Sequence, residues 1–144
     1  MSGNDMKLQS LETMARWIFA VVLLTSLTAC GDKAPSPPQS PGVQQVQAAV
    51  ATGLPTIAEF GASMCASCIE MKQVLANVAD RTKARANVLI VDISKDWAVT
   101  QKYGIQVMPT QVFFAADGHE LKRHIGKMTE AEVVDGLGLG DVKK

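Results

Sequence analysis

An α/β fold with an antiparallel edge is what the sequence predicts, on three observations. The stretch from Val43 onward holds about a hundred residues, the usual size of a single domain. Within it, apolar residues alternate between short strand-like runs and helical spacing. The last strand signal is doubled around Asp117-Gly118, a dipeptide that tolerates positive φ and closes a hairpin. Strand, helix, strand, helix, hairpin, helix is the resulting order, and no internal repeat is visible.

Each element has its own signal. Residues Val43 to Ala51 read as a short helix ended by Gly53 and Pro55, and Thr56 to Phe60 (TIAEF) as a short strand. From Cys65 to Arg81, apolar positions at 68, 71, 75, 78 and 79 oppose Glu70, Gln73, Asn77 and Asp80, the pattern of an amphipathic helix that starts at Cys65. Val88 to Ile93 (VLIVDI) is nearly continuous and β-branched, which predicts a strand buried on both faces. A helix across Trp97 to Lys102 follows, with Trp97 and Tyr103 expected to pack it. Thr110 to Ala116 and His119 to Ile125 form the hairpin. Thr129 caps a last helix from Glu130 to about Leu137, with Glu132 at the capping-box position.

Composition excludes two function classes. The 144 residues carry 14 Lys plus Arg against 14 Asp plus Glu and are 47% hydrophobic, so the chain is no disordered polyelectrolyte. Zero net charge also removes the electrostatic case for a nucleic-acid partner. Two charges of each sign lie in residues 1–29, so the balance belongs to the remainder as well.

The amino terminus reads as an address. Trp17 to Ala29 is an uncharged apolar run preceded by Arg16; a spanning helix needs about 20 such residues, so residues 1–29 suit a signal peptide better. Asp5 and Glu12 are unusual there, and Met6 and Met14 are alternative starts. Leu27-Thr28-Ala29-Cys30 resembles the bacterial lipoprotein box, which implies lipid attachment at Cys30. Residues 30–42 then hold four of the six prolines, the composition of an extended tether reaching roughly 35 Å, before a domain over 43–144. The expectation these features imply is a chain of the bacterial cell envelope, lipid-anchored and facing the periplasm or the exterior.

The chemistry centres on Cys65-Ala66-Ser67-Cys68. Two thiols three positions apart at a helix start share one face, where a small ring can open and close. Helix-end N–H groups and the dipole favour an anion at the first thiol, and Ser67 can add a hydrogen bond. A purely structural bridge across so short a loop would gain little stability. Half a metal site is the other alternative. It lacks ligands: His119 and His124 read as solvated edge residues, and of the soft pair Met64 and Met71, Met71 has core spacing.

With these motifs in hand, residues 55 to 137 resemble the thioredoxin family. Ile57-Ala58-Glu59-Phe60 leads to Cys65-Ala66-Ser67-Cys68, followed in order by Tyr103-Gly104-Ile105, Met108-Pro109-Thr110 and Gly126. The resemblance implies a thioredoxin-like fold with a central mixed sheet flanked by helices, a cis Pro109 beside the sulfurs, and substrate backbone pairing at Met108. It implies that Cys65 attacks or is attacked, that Cys68 resolves the mixed disulfide and that Glu59 accepts a proton, its pKa raised by burial. Departures bear on the redox potential: Met64 stands where Trp is usual, Ala66-Ser67 where Gly-Pro is usual, Glu59 where many members have Asp, and Ile90 where a lysine often accompanies that acid.

The expectation is a membrane-tethered, extracytoplasmic thiol–disulfide oxidoreductase, leaning towards a protein-disulfide reductase. Its partners would be protein thiols or disulfides and a second dithiol protein as electron donor or acceptor. No cofactor is expected, there being no Gly-rich nucleotide fingerprint. A disulfide-forming oxidase and a non-enzymatic copper-delivery module are the alternatives.

Overall fold

A computed structural model describes residues 39–140, so the apolar run, Cys30 and most of the proline-rich segment lie outside the described residues. Ser40 and Pro41 begin the first helix, α1 (Pro41–Val50): proline's fixed φ suits the first helical position, and the Ser40 hydroxyl accepts the Val43 N–H at 3.3 Å. The helix thus starts two residues earlier than the periodicity predicts. Gly42, read as the last tether residue, is buried inside it.

Among the described residues four strands form one sheet in the order β2-β1-β3-β4: β1 (Thr56–Gly61), β2 (Asn87–Asp92), β3 (Thr110–Phe114) and β4 (Glu120–Ile125). β1 runs parallel to β2 and antiparallel to β3, which pairs antiparallel with β4. The central strands β1 and β3 are buried along their whole length. Their alternating side chains supply two cores. On one face Ala58, Phe60, Val112 and Phe114 pack with Val43 and Val46 of α1 and with Val99. On the other, Ile57 and Phe113 pack with Met71, Leu75 and Val78 and with Val133 and Val134.

These second-face partners come from α2 (Ala66–Thr82) and α4 (Glu130–Gly136). Cys65 is the N-cap of α2 rather than its first helical residue. Its inward row ends at Thr82, not at the exposed Ala79: the Thr82 hydroxyl is buried and donates to the Val78 carbonyl at 2.8 Å. Helix α4 has the expected capping box of Thr129 and Glu132.

Two expectations are corrected. β2 is an edge strand rather than a strand covered on both sides: Val91 alone is fully buried and Ile90 is 37% exposed. A β-branched run specifies extended backbone, whereas the number of strands beside it is a property of the whole sheet. In α3 (Trp97–Lys102), Trp97 does not pack; it is 71% exposed, and Val99 is the buried residue. Tyr103 does pack, its ring 5.1 Å from that of Phe60 and 6.1 Å from that of Phe114.

Asp96 ties two helix starts together. One carboxylate oxygen accepts the Val99 N–H of α3 at 3.1 Å, and the other accepts the Gly42 N–H of α1 at 2.9 Å. Burial acts to raise its pKa, but hydrogen bonds from Ser40, Val99 and Gly42 together outweigh it and hold the carboxyl below its usual range. Asp96→Ala removes the cap of α3 and the bond to Gly42 of α1 and is expected to cost about 2 kcal/mol in urea unfolding near pH 7, at about 1 kcal/mol for each. Because the folded pKa is the lower one, this difference is present above the unfolded carboxyl range and fades as pH falls through the folded pKa.

Candidate active site

The end of β1 sets up the site. After Gly61 the chain turns through residues 62–64, and Cys65 caps α2 with extended backbone at φ −88° and ψ 118°. Its sulfur accepts the Cys68 N–H at 3.3 Å and lies 3.2 Å from the Ser67 hydroxyl. Donors at a helix end and a nearby O–H favour negative charge on that sulfur when the bridge opens. Cys65 and Cys68 are joined as a disulfide with Cα atoms 5.2 Å apart. Cys68 is fully buried and Cys65 half-buried. Only the outer sulfur can meet a large partner.

The loop before Cys65 is pinned to the end of β2. Ser63 donates to Asp92 Oδ2 at 2.6 Å, while the Ser94 N–H and hydroxyl donate to Oδ1 at 2.9 and 2.6 Å. The bond from Ser63 first, then those from Ser94, hold the Asp92 carboxyl far below its ordinary value.

Glu59 lies within β1, fully buried, and neither of its carboxyl oxygens has a hydrogen-bond partner. Burial pushes its pKa from 4.5 up to about 7, against a smaller opposing pull from Lys72 of α2. A Cβ built on Gly61 would stand 2.6 Å from Glu59 Oε1 and 3.0 Å from Cys68 Sγ. The carboxyl and the inner sulfur therefore flank one point and are no farther apart than those two lengths laid end to end. That span is within reach of a single bridging water, and glycine at position 61 keeps it open.

Strand register places the other predicted residues. Ile90 of β2 is the cross-strand partner of Glu59, so no cation faces the acid from that side. Phe60 pairs with Thr110 at the end of the β1–β3 ladder, and Pro109 directly precedes that pair at the same end of the sheet. The Met108–Pro109 bond is cis, and the Pro109 carbonyl accepts the Gly126 N–H at 2.9 Å. Cys65, Cys68, Glu59 and Pro109 thus gather at one end of the sheet. Met64, Ile69, Val107 and Met108 expose apolar side chains in the segments around it. Cys30 lies outside the described residues.

Sequence reasoning missed two contributors, Lys72 and Gly61. Lys72 stands four residues beyond Cys68 on α2, a signal the helical period carries. Gly61 shows its role only once Glu59 and Cys68 are seen to share the space beside it. Among the described residues no group of three or more His, Cys, Asp or Glu side chains could hold a metal ion. The Met71 sulfur accepts the Met128 N–H at 3.1 Å inside the core, so it is not available as a copper ligand beside Met64.

Comparison with known proteins gives these features a context. The family described as "Thioredoxin-like domain" matches residues 43–138. Thioredoxin-1 of Drosophila melanogaster is 29% identical over 85 residues, covering 52% of this chain and 79% of that protein. The thiol:disulfide interchange protein DsbD of Ralstonia nicotianae is 30% identical over 95 residues, 62% of this chain but 16% of that longer protein. Among solved structures, chloroplastic thioredoxin z superposes with a TM-score of 0.60 at 26% identity, covering 66% of this chain and 86% of the other. The germline-specific thioredoxin Deadhead of Drosophila melanogaster gives 0.56 at 25% identity, covering 66% and 87%.

A raised carboxyl pKa has a definite stability signature. Between pH 4.5 and about 7 the folded chain keeps a proton on Glu59 that the unfolded chain has released, so rising pH destabilises the fold over that window. Glu59→Gln, a neutral mimic of the protonated acid, is expected to stabilise the oxidised protein increasingly across it. The gain should level off above pH 7 at about 3 kcal/mol, and a difference independent of pH in denaturant titrations would contradict the assignment.

Proposed function

The chain belongs to the family of thioredoxin-like domains and is a thiol–disulfide oxidoreductase, and from that premise we propose that it works as a membrane-tethered, extracytoplasmic protein-disulfide reductase. The observation that carries the dithiol exchange is the buried Glu59 carboxyl close to the same point as the Cys68 sulfur, and tethering in an oxidising compartment with the apolar Met108 before Pro109 supports the reducing direction. A reductant must deprotonate its inner thiol while a partner is still bound, and a nearby base with a pKa of about 7 serves that step.

In the reduced protein the Cys65 thiolate attacks one sulfur of the partner's disulfide, forming a mixed disulfide and releasing the partner's other sulfur as a thiolate that takes up a proton. Cys68 then passes its proton to the Glu59 carboxylate and attacks Cys65 Sγ. The Cys65–Cys68 bridge forms, the second partner sulfur leaves as a thiolate and is protonated, and two electrons have moved to the partner. Met108 and Pro109 offer the substrate polypeptide an apolar, backbone-lined seat next to this centre. Regeneration needs a second dithiol protein. That Cys30 carries a lipid and that residues 31–39 act as a spacer rests on the lipoprotein-like box and the proline content. Among the described residues no helix is long and apolar enough to cross a membrane.

Three measurements test this reading. Cys68→Ser is expected to accumulate mixed disulfides with partner proteins and Cys65→Ser to trap none; parental turnover in both would sink the dithiol mechanism. A redox titration should give a midpoint of about −230 mV or lower, whereas a value near about −120 mV would make the chain an oxidase. For the anchor, Cys30→Ala should move the protein from the membrane fraction to the soluble one.

A further inference from the structure

The antiparallel register that sets β3 against β1 pairs Glu59 with Gln111. Both side chains lie on the sheet face covered by α2, since Ile57 and Phe113, two residues along each strand, belong to the same core cluster. Gln111 is fully buried, and neither its amide nitrogen nor its amide oxygen has a hydrogen-bond partner, the same condition as both oxygens of Glu59. Four unpartnered polar atoms in a core are costly, and Val112, Phe113 and Phe114 show what β3 uses where packing alone decides. Directly opposite residues of an antiparallel pair have Cβ atoms about 5 Å apart, so a side-chain rotation or one water joins the amide to the carboxyl.

An amide has a property that no apolar or charged side chain shares in that place. A carboxylic acid offers a proton and needs an acceptor; a carboxylate needs a donor. Glutamine carries both a carbonyl and an NH2, so by turning over it matches either state of its neighbour. We propose that Gln111 is a positioning residue for the thiol chemistry: its amide accepts from protonated Glu59 and donates to ionised Glu59, and so sets the pH above which Cys68 can be deprotonated. The proposal rests on the reading of Glu59 as the proton acceptor for Cys68.

Other groups around the acid do not supply this service. From α2 come Cys68 and Lys72, the latter acting on Glu59 as a charge and making no hydrogen bond to it. From β2 comes the apolar Ile90. From β4 comes His124, one strand farther out as the register partner of Gln111, with its Nε2 3.1 Å from the Lys127 carbonyl. Gln111 is thus the polar residue between the buried acid and the half-buried His124. In the resolving step the proton leaves Cys68 Sγ for Glu59, the Cys68 thiolate bonds to Cys65 Sγ as the Cys65–partner S–S bond breaks, and the partner sulfur leaves as a thiolate that takes a proton from solvent. The amide turns from donor to acceptor as the carboxylate becomes an acid. Hydrogen bonds to a charged group are the stronger kind, so the amide's net effect is to hold the Glu59 midpoint down.

The test uses the full chain in its oxidised form, where the cysteines do not titrate, with 13C-labelled Glu and 15N-labelled Gln followed by NMR. Gln111→Met keeps the side-chain length and removes the amide. The Glu59 midpoint is expected to rise by about 0.5–1 pH unit, with the acid limb of the single-turnover resolving rate moving by the same amount and no loss in folding stability. In the unsubstituted protein, the Gln111 side-chain amide signals should shift with the same midpoint as the Glu59 carboxyl. An unchanged or lowered midpoint in Gln111→Met, or amide signals insensitive to pH over that range, overturns the proposal. Glu59→Gln separates this from the reading beneath it: a parental resolving rate in that variant overturns the role of Glu59 itself, whatever the Gln111 signals show.

Discussion

A carboxyl group buried without a hydrogen-bond partner, sharing the open space beside a glycine with a buried sulfur, is the constraint around which this structure is arranged. Water would solvate that carboxylate far better than a core does, and its pKa rises towards neutrality because folding withholds the solvation. Any side chain at position 61 would fill the space the two groups share. The rest of the fold has to hold both of them in place while giving up some stability to do so.

Two carboxylates of the opposite character do much of the holding. Asp92 and Asp96 sit at and beyond the end of β2, well supplied with donors, and each has its pKa lowered. Asp92 fixes the loop that delivers Cys65, and Asp96 fixes the start of α1 against the start of α3. Three acids within one small domain thus serve three ends, distinguished by how deeply each is buried and how many hydrogen bonds reach it. Charge type is a sequence property; the count of donors is not.

Much of the fold was legible because local signals agreed with one another. The span of α3, the hairpin and the capping box of the last helix all follow from periodicity, turn chemistry and capping, which act within a few residues. The places where local reading failed share a cause. β2 carries the residues of a buried strand yet forms a sheet edge, and Trp97 is an aromatic residue left in solvent. Burial depends on what arrives from elsewhere in the chain, and neither residue type nor spacing records that.

For the site, the dithiol was readable from the chain alone: a CxxC at a helix start needs only residue identity and helical spacing, which operate over a handful of positions. The part of Glu59 in proton transfer came from the resemblance to the thioredoxin family, not from spacing. Tertiary structure decided which groups surround the acid. The parallel pairing of β1 with β2 brings an uncharged Ile90, the antiparallel pairing with β3 brings Gln111, and the packing of α2 brings Lys72. Register and packing are settled by the hydrophobic surfaces of the whole domain, so contacts between residues some fifty positions apart, such as Glu59 and Gln111, become readable only after the chain has folded.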